Sequence, residues 1–163
     1  MQSNSLRPGV DFTESYRKHG LMLYKLAMVH LGRSQDAEEA MQEAFMKLLY
    51  RAPAFRDDEH EKAWLIRVMT NHCRNIRRSS WFRRVIQRAE MPEIRGNSEM
   101  QPLMELVLAL PLRYRSVIHL YYYEDYSVKE IADILHISES AAKMRLNRGR
   151  MRLKLDLEGE GHT

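Results

Sequence analysis

The sequence predicts an all-α protein made of two small helical domains joined by a flexible linker, the C-terminal domain containing a helix-turn-helix. Three observations carry that expectation. Apolar residues recur at intervals of three and four almost throughout, not at the two-residue interval of strands. The rhythm lapses once, between about residues 79 and 101, in SSWFRRVIQRAEMPEIRGNSEMQ, where Pro92, Gly96, Asn97 and Ser98 gather. A length of 163 residues suits two such domains and no more. The expected divisions are 1–80, a linker over 81–101, 102–158, and a tail over 159–163.

The first helix runs from about Asp11 to Leu31 and stops at Gly32. The second is SQDAEEAMQEAFMKLLY, with Ser34 available as N-cap and Asp36, Glu38 and Glu39 placed where the helix dipole favours anions. Ala37, Ala40, Met41, Ala44, Phe45, Leu48 and Leu49 give it an unbroken apolar stripe. An acidic connector, APAFRDDEHEK, leads into AWLIRVMTNHCRNIRR. There Leu65, Met69, Cys73 and Ile76 share one face, while Arg67, Asn71, Arg74 and Arg78 line the other and Trp64 borders it. From Ala63 to Ala89 the chain has no carboxylate but seven arginines: Arg67, Arg74, Arg77, Arg78, Arg83, Arg84 and Arg88. A solvated face usually interleaves signs, so such segregation points to a polyanion.

Beyond the linker, Leu103, Leu106, Val107 and Leu110 restore the pattern, Pro111 breaks it, and Val117, Ile118 and Tyr121 resume it. In YSVKEIADILHISES, Ser127 and Glu130 have the spacing of a capping box, and Val128, Ile131, Ala132 and Leu135 form the buried stripe of a short helix. His136, Ile137 and Ser138 make a tight connection, with Ile137 as apolar plug and Ser138 as the next N-cap. The following helix places Ala142, Leu146, Gly149 and Leu153 inward. Its outward face carries Ser140, Met144 and Asn147, flanked by Lys143, Arg145 and Arg148. Donors and adaptable polar groups on the second helix of such a pair suit the edges of base pairs in a major groove.

Composition narrows the function classes. The net charge of +4 favours a polyanionic partner in sign. Cys73 alone builds no disulfide and sits among apolar residues, which predicts a core thiol in a cytoplasmic protein. The seven histidines show no ligand spacing, so neither metal nor cofactor is expected, and no apolar run long enough for membrane insertion is visible. No carboxylate cluster, phosphate loop or nucleophile constellation argues for an enzyme such as a nuclease.

Two blocks carry a family resemblance. LALPLRYRSVIHLYYYEDYSVKEIADILHISESAAKMRLNRGRMRLK is similar to the fourth conserved region of the extracytoplasmic-function (ECF) group of RNA polymerase sigma factors. DAEEAMQEAFMKLL and AWLIRVMTNHCRNIRR resemble that group's second region, in the family's order and separation. The resemblance implies a non-enzymatic transcription initiation factor that binds core RNA polymerase and promoter DNA and is held by an anti-sigma factor. It implies core-polymerase contact by the acidic side of the second helix, with Asp36, Glu39, Gln42 and Glu43, and −10 recognition and melting by Trp64, Arg67, Asn71, Arg74 and Arg78. It implies −35 recognition by Ser140, Lys143, Met144, Arg145, Asn147 and Arg148, with phosphate clamping by Arg145, Arg150 and Arg152. The connector Phe55 to Glu61 matches the loop that captures a flipped base; its acidic residues direct contact toward base edges, not phosphates. The chain departs from the common pattern at Ala40 and Met41, where bulkier branched residues are frequent, and at Ala141 and Ala142, where a Thr-Val pair is. A rival reading, a regulator with a helix-turn-helix behind a sensor or dimerisation domain, predicts a ligand pocket or self-association face instead.

Overall fold

The computed structural model describes residues 11–79 and 102–160, except the side chains of residues 102–104 and 155–160. The expected linker, with Arg83, Arg84 and Arg88, and the last three residues of the expected tail lie outside the described residues. All regular structure among the described residues is helical. The chain divides into two compact units, residues 1–90 and 91–163.

The first unit is three packed helices, α1 (Phe12–Leu31), α2 (Ser34–Arg51) and α3 (Asp58–Arg78). Asp11 caps α1 by accepting from the Glu14 amide, and Gly32 ends it in the left-handed conformation at φ 74°, where a side chain would be strained. The predicted stripe of α2 is buried at Ala37, Ala40, Ala44, Phe45 and Leu48, against Leu23, Leu26 and Ala27 of α1 and Leu65, Ile66, Met69 and Cys73 of α3. The alanines let α2 lie close to its neighbours. Burial pushes the Cys73 thiol up to about 12, as a core thiol requires. Ser34 begins α2 but does not cap it: extended Arg33 occupies the N-cap position without a side-chain bond. Asp57 caps α3 by accepting from the His60 amide.

The second unit comprises α4 (Pro102–Ala109), α5 (Leu112–Ile118), a π turn (His119–Tyr123), α6 (Val128–Leu135) and α7 (Glu139–Glu160). The last helix therefore continues past residue 158. Pro111 separates α4 from α5. The capping box at Ser127 and Glu130 is formed in both directions, at 3.1 Å and 2.8 Å. His136 adopts the left-handed conformation at the α6 terminus, and Ser138 caps α7 by accepting from the Ala141 amide. Ala142, Leu146 and Gly149 face inward, and a Cβ at Gly149 would lie 2.9 Å from Ile118 Cγ1. Gly149 thus lets α7 lie against Ile118 and Tyr114 of α5 with no room for a Cβ, which explains a residue that weakens a helix interior by about 1 kcal/mol.

Candidate nucleic-acid and protein interfaces

On α3, the residues Arg67, Asn71, Arg74 and Arg78 fall within about 60° of one another around the axis, and Trp64 within about 20° of that arc, at 3.6 residues per turn. Arg67 and Arg78 are exposed, and Trp64, Asn71 and Arg74 are half-buried. The opposite face holds the core residues Leu65, Ile66, Met69, Thr70 and Cys73, so the fold itself turns the arginines outward. Trp64 meets Phe55 edge-on at 5.6 Å between ring centroids, and Phe55 meets His60 at 5.3 Å. These rings make a partly open aromatic wall beside the connector, of the kind that stacks unpaired bases.

The connector's carboxylates have structural employment. Asp58 pairs with Lys18 at 3.0 Å, and Glu61 accepts from the Ser15 hydroxyl, so both tie the start of α3 to α1. The Asp58 carboxylate holds the Lys18 ammonium above its usual range. With Asp57 capping, exposed Glu59 is the acidic residue of the run without such a contact.

On α2, the exposed face carries Glu39, Gln42 and Glu43 with Glu38 and Met46. Asp36 does not belong to that face. It is buried, 8% exposed, with its carboxylate 3.8 Å from the Arg33 guanidinium. It sits in the first turn on the border of the buried arc, where Arg33 folds over it. The predicted acidic surface therefore loses one member.

Sequence reasoning missed the apolar continuation of this surface. Phe12, Tyr16, Leu21 and Met46 are all exposed, Leu21 at 67%. They line an open groove of about 1110 Å³ between α1 and α2, floored by Phe45 and edged by Glu38 and Gln42. Tyr16 and Phe12 pack on Phe45 at 5.2 Å and 5.6 Å between centroids. The aromatic pair at positions 12 and 16 is the signal that was available, since i, i+4 aromatics share a helix face.

On α7, Ser140, Lys143, Met144, Asn147 and Arg148 are exposed, and Arg145 is half-buried beside them. The groups proposed to grip phosphate are partly held within the protein. Arg150 donates to the Tyr122 hydroxyl and lies over the Tyr121 and Tyr122 rings, at 5.2 Å and 5.4 Å. Arg152 lies 5.4 Å over the Tyr114 ring. Tyr121 and Tyr122 are placed for this by the π turn, a feature no periodicity announced.

Comparison with known proteins follows the same division. Residues 15–89 match the family model of sigma-70 region 2, and residues 100–153 that of sigma-70 region 4. The ECF RNA polymerase sigma factor SigL of Mycobacterium tuberculosis is 28% identical over 91% of this chain and 89% of its own length. SigW of Bacillus subtilis is 27% identical over 83% and 82%. Among solved structures, the sigma factor RpoE in complex with the anti-sigma factor NepR, from Bartonella quintana, superposes with a TM-score of 0.71 at 23% identity, covering 91% of this chain and 97% of that one. CnrH in complex with the cytosolic domain of CnrY gives 0.61 at 23% identity, covering 91% and 88%.

Proposed function

The chain belongs to the ECF group of RNA polymerase sigma factors, and from that premise we propose how its two units divide the work of promoter recognition. The protein binds core RNA polymerase and directs initiation at −10 and −35 elements; it is not itself an enzyme, and the polymerase supplies the chemistry. Residues 1–80 act as region 2, residues 102–158 as region 4, and residues 81–101 connect them. The α2 face of Glu39, Gln42 and Glu43 contacts core polymerase, its negative charge complementary to a basic partner surface. Exposed Met46 and the α1–α2 groove extend that contact with apolar area.

The face of Arg67, Asn71, Arg74 and Arg78 holds the melting DNA near the −10 element, with Trp64 stacking on an unpaired base. The α7 face of Ser140, Lys143, Met144, Arg145, Asn147 and Arg148 reads the −35 element. The observation that carries the reading is that the first unit turns an acidic helix face and an arginine-lined one outward, and the second a basic one. Each has its own apolar side in the core. Since polymerase and promoter are the partners, the protein acts in the cytoplasm; no helix among the described residues is long and apolar enough to cross a membrane. An anti-sigma factor, of the kind NepR is in the solved RpoE complex, would hold it by covering these faces.

Reconstitution with core polymerase and promoter DNA tests the reading. The expected result is a stable complex with core that starts transcripts at defined positions. Failure to associate with core, together with no initiation, overturns it.

A further inference from the structure

The outward face of α7 contains an apolar side chain that packing within the unit does not require. Met144 is 45% exposed, with Ser140 one turn before it and Asn147 and Arg148 one turn after. The core uses the other side of the helix, through Ala142, Leu146 and Gly149. The first turns of a helix docked in a major groove face the base edges. The apolar group available on those edges is the C5-methyl of thymine. An unbranched thioether has both the reach and the polarisability to cover it.

Asn147 lies three residues further on, roughly 4.5 Å along the axis at the helical rise per residue. Successive bases on one strand are separated by roughly 3.4 Å, so neighbouring side chains of this face can meet neighbouring base pairs. Asparagine pairs in bidentate fashion with adenine N6 and N7. Resting on the assignment of α7 to the −35 element, we propose that Met144 and Asn147 read adjacent base pairs there, Met144 selecting thymine through its methyl group and Asn147 selecting adenine. Lys143 and Arg148 flank the pair and suit guanine. Met151, 66% exposed on the same side but two turns further, lies beyond the base-reading turns and plays no part in this selection.

The test uses holoenzyme made from the full chain and a duplex promoter library randomised across the −35 element. A parallel library carries deoxyuridine for every thymine, which removes the methyl group and nothing else. Wild-type holoenzyme should enrich thymine at one position, and the uridine library should lose about fourfold of that preference, the worth of one buried methyl group. Met144→Gln keeps the side-chain length and offers a bidentate amide, so thymine selection should vanish at that position and adenine take its place. Met151→Gln should select as wild type does. Thymine selection that survives Met144→Gln, or equal selection of uridine, overturns the inference while leaving the −35 assignment intact. A holoenzyme that initiates but selects no −35 sequence at all overturns the assignment and the inference together.

Discussion

At the scale of single residues, the two units contain positions where local preference and tertiary packing disagree. Gly149 is one. Alanine there would gain about 1 kcal/mol of helix propensity, but its Cβ would meet Ile118 Cγ1 at 2.9 Å and Cδ1 at 3.1 Å. Ile118 is fully buried and cannot swing away, and overpacking of this kind costs about 1–3 kcal/mol. Gly149→Ala should therefore lower the urea midpoint of the second unit's transition; a raised midpoint would mean that propensity wins. His19 is another such residue. It is buried on α1, and burial holds its imidazole below the usual range despite the nearby Glu61 and Asp58 carboxylates, with Lys62 and Lys18 acting in the same direction as burial. Half-buried His72 is lowered in the same way, by burial first and then by Lys47. For a depressed folded pKa, the stabilisation is present above the unfolded value of about 6.5 and is lost as pH falls below it. Urea midpoints of the first unit should drop between pH 7.5 and 5.5, and His19→Gln should flatten that dependence. An unchanged slope in the variant would remove His19 from the account.

At the scale of elements, what the sequence disclosed was what local rules decide. The α2 stripe at Ala37, Ala40, Ala44, Phe45 and Leu48, the Gly32 stop and the Ser127–Glu130 capping box each depend on residues within a turn or two of one another and formed as expected, while Met41 and Leu49 of the stripe are only half-buried. The misses at the start of α2 are local, where Arg33 takes the N-cap position expected of Ser34 and pairs with Asp36; the others are non-local. Asp36 carries the charge and the spacing of its neighbours Glu39 and Glu43, yet Arg33, in the extended residue before the helix, folds over it. The π turn at His119–Tyr123 buries His119 and Leu120 and sends Tyr122 toward Arg150, a partner 28 residues away. The groove is lined by residues of both α1 and α2, with Phe45 among them, and neither helix's own pattern contains that. The capping box offers a clean check of a local rule. Ser127→Ala removes one of its two reciprocal bonds and should cost about 1 kcal/mol of the second unit's stability by denaturant unfolding. Ser127→Asp, which can still accept from the Glu130 amide, should keep most of it.

At the scale of the whole molecule, the proposed assignment gives the acidic and basic faces to different partners, and a sigma factor needs both at once. Two weak DNA contacts tethered through one polymerase raise each other's effective concentration, so neither unit has to bind DNA tightly alone. The prediction is a separation of effects. Glu43 is exposed on α2, away from the core, and Glu43→Lys reverses its charge without disturbing packing. It should weaken association with core polymerase about tenfold, on the order of one attractive charge pair replaced by like-charge repulsion, while binding of the free protein to −35 duplex stays as in wild type. Arg148 is exposed on α7, and Arg148→Ala should cost about 1–3 kcal/mol of −35 binding with core association intact. Titrating both variants against labelled core and against promoter duplex gives four constants. If Glu43→Lys instead impairs DNA and Arg148→Ala impairs core, the two faces have been assigned to the wrong partners, and the division of labour between the units must be reversed.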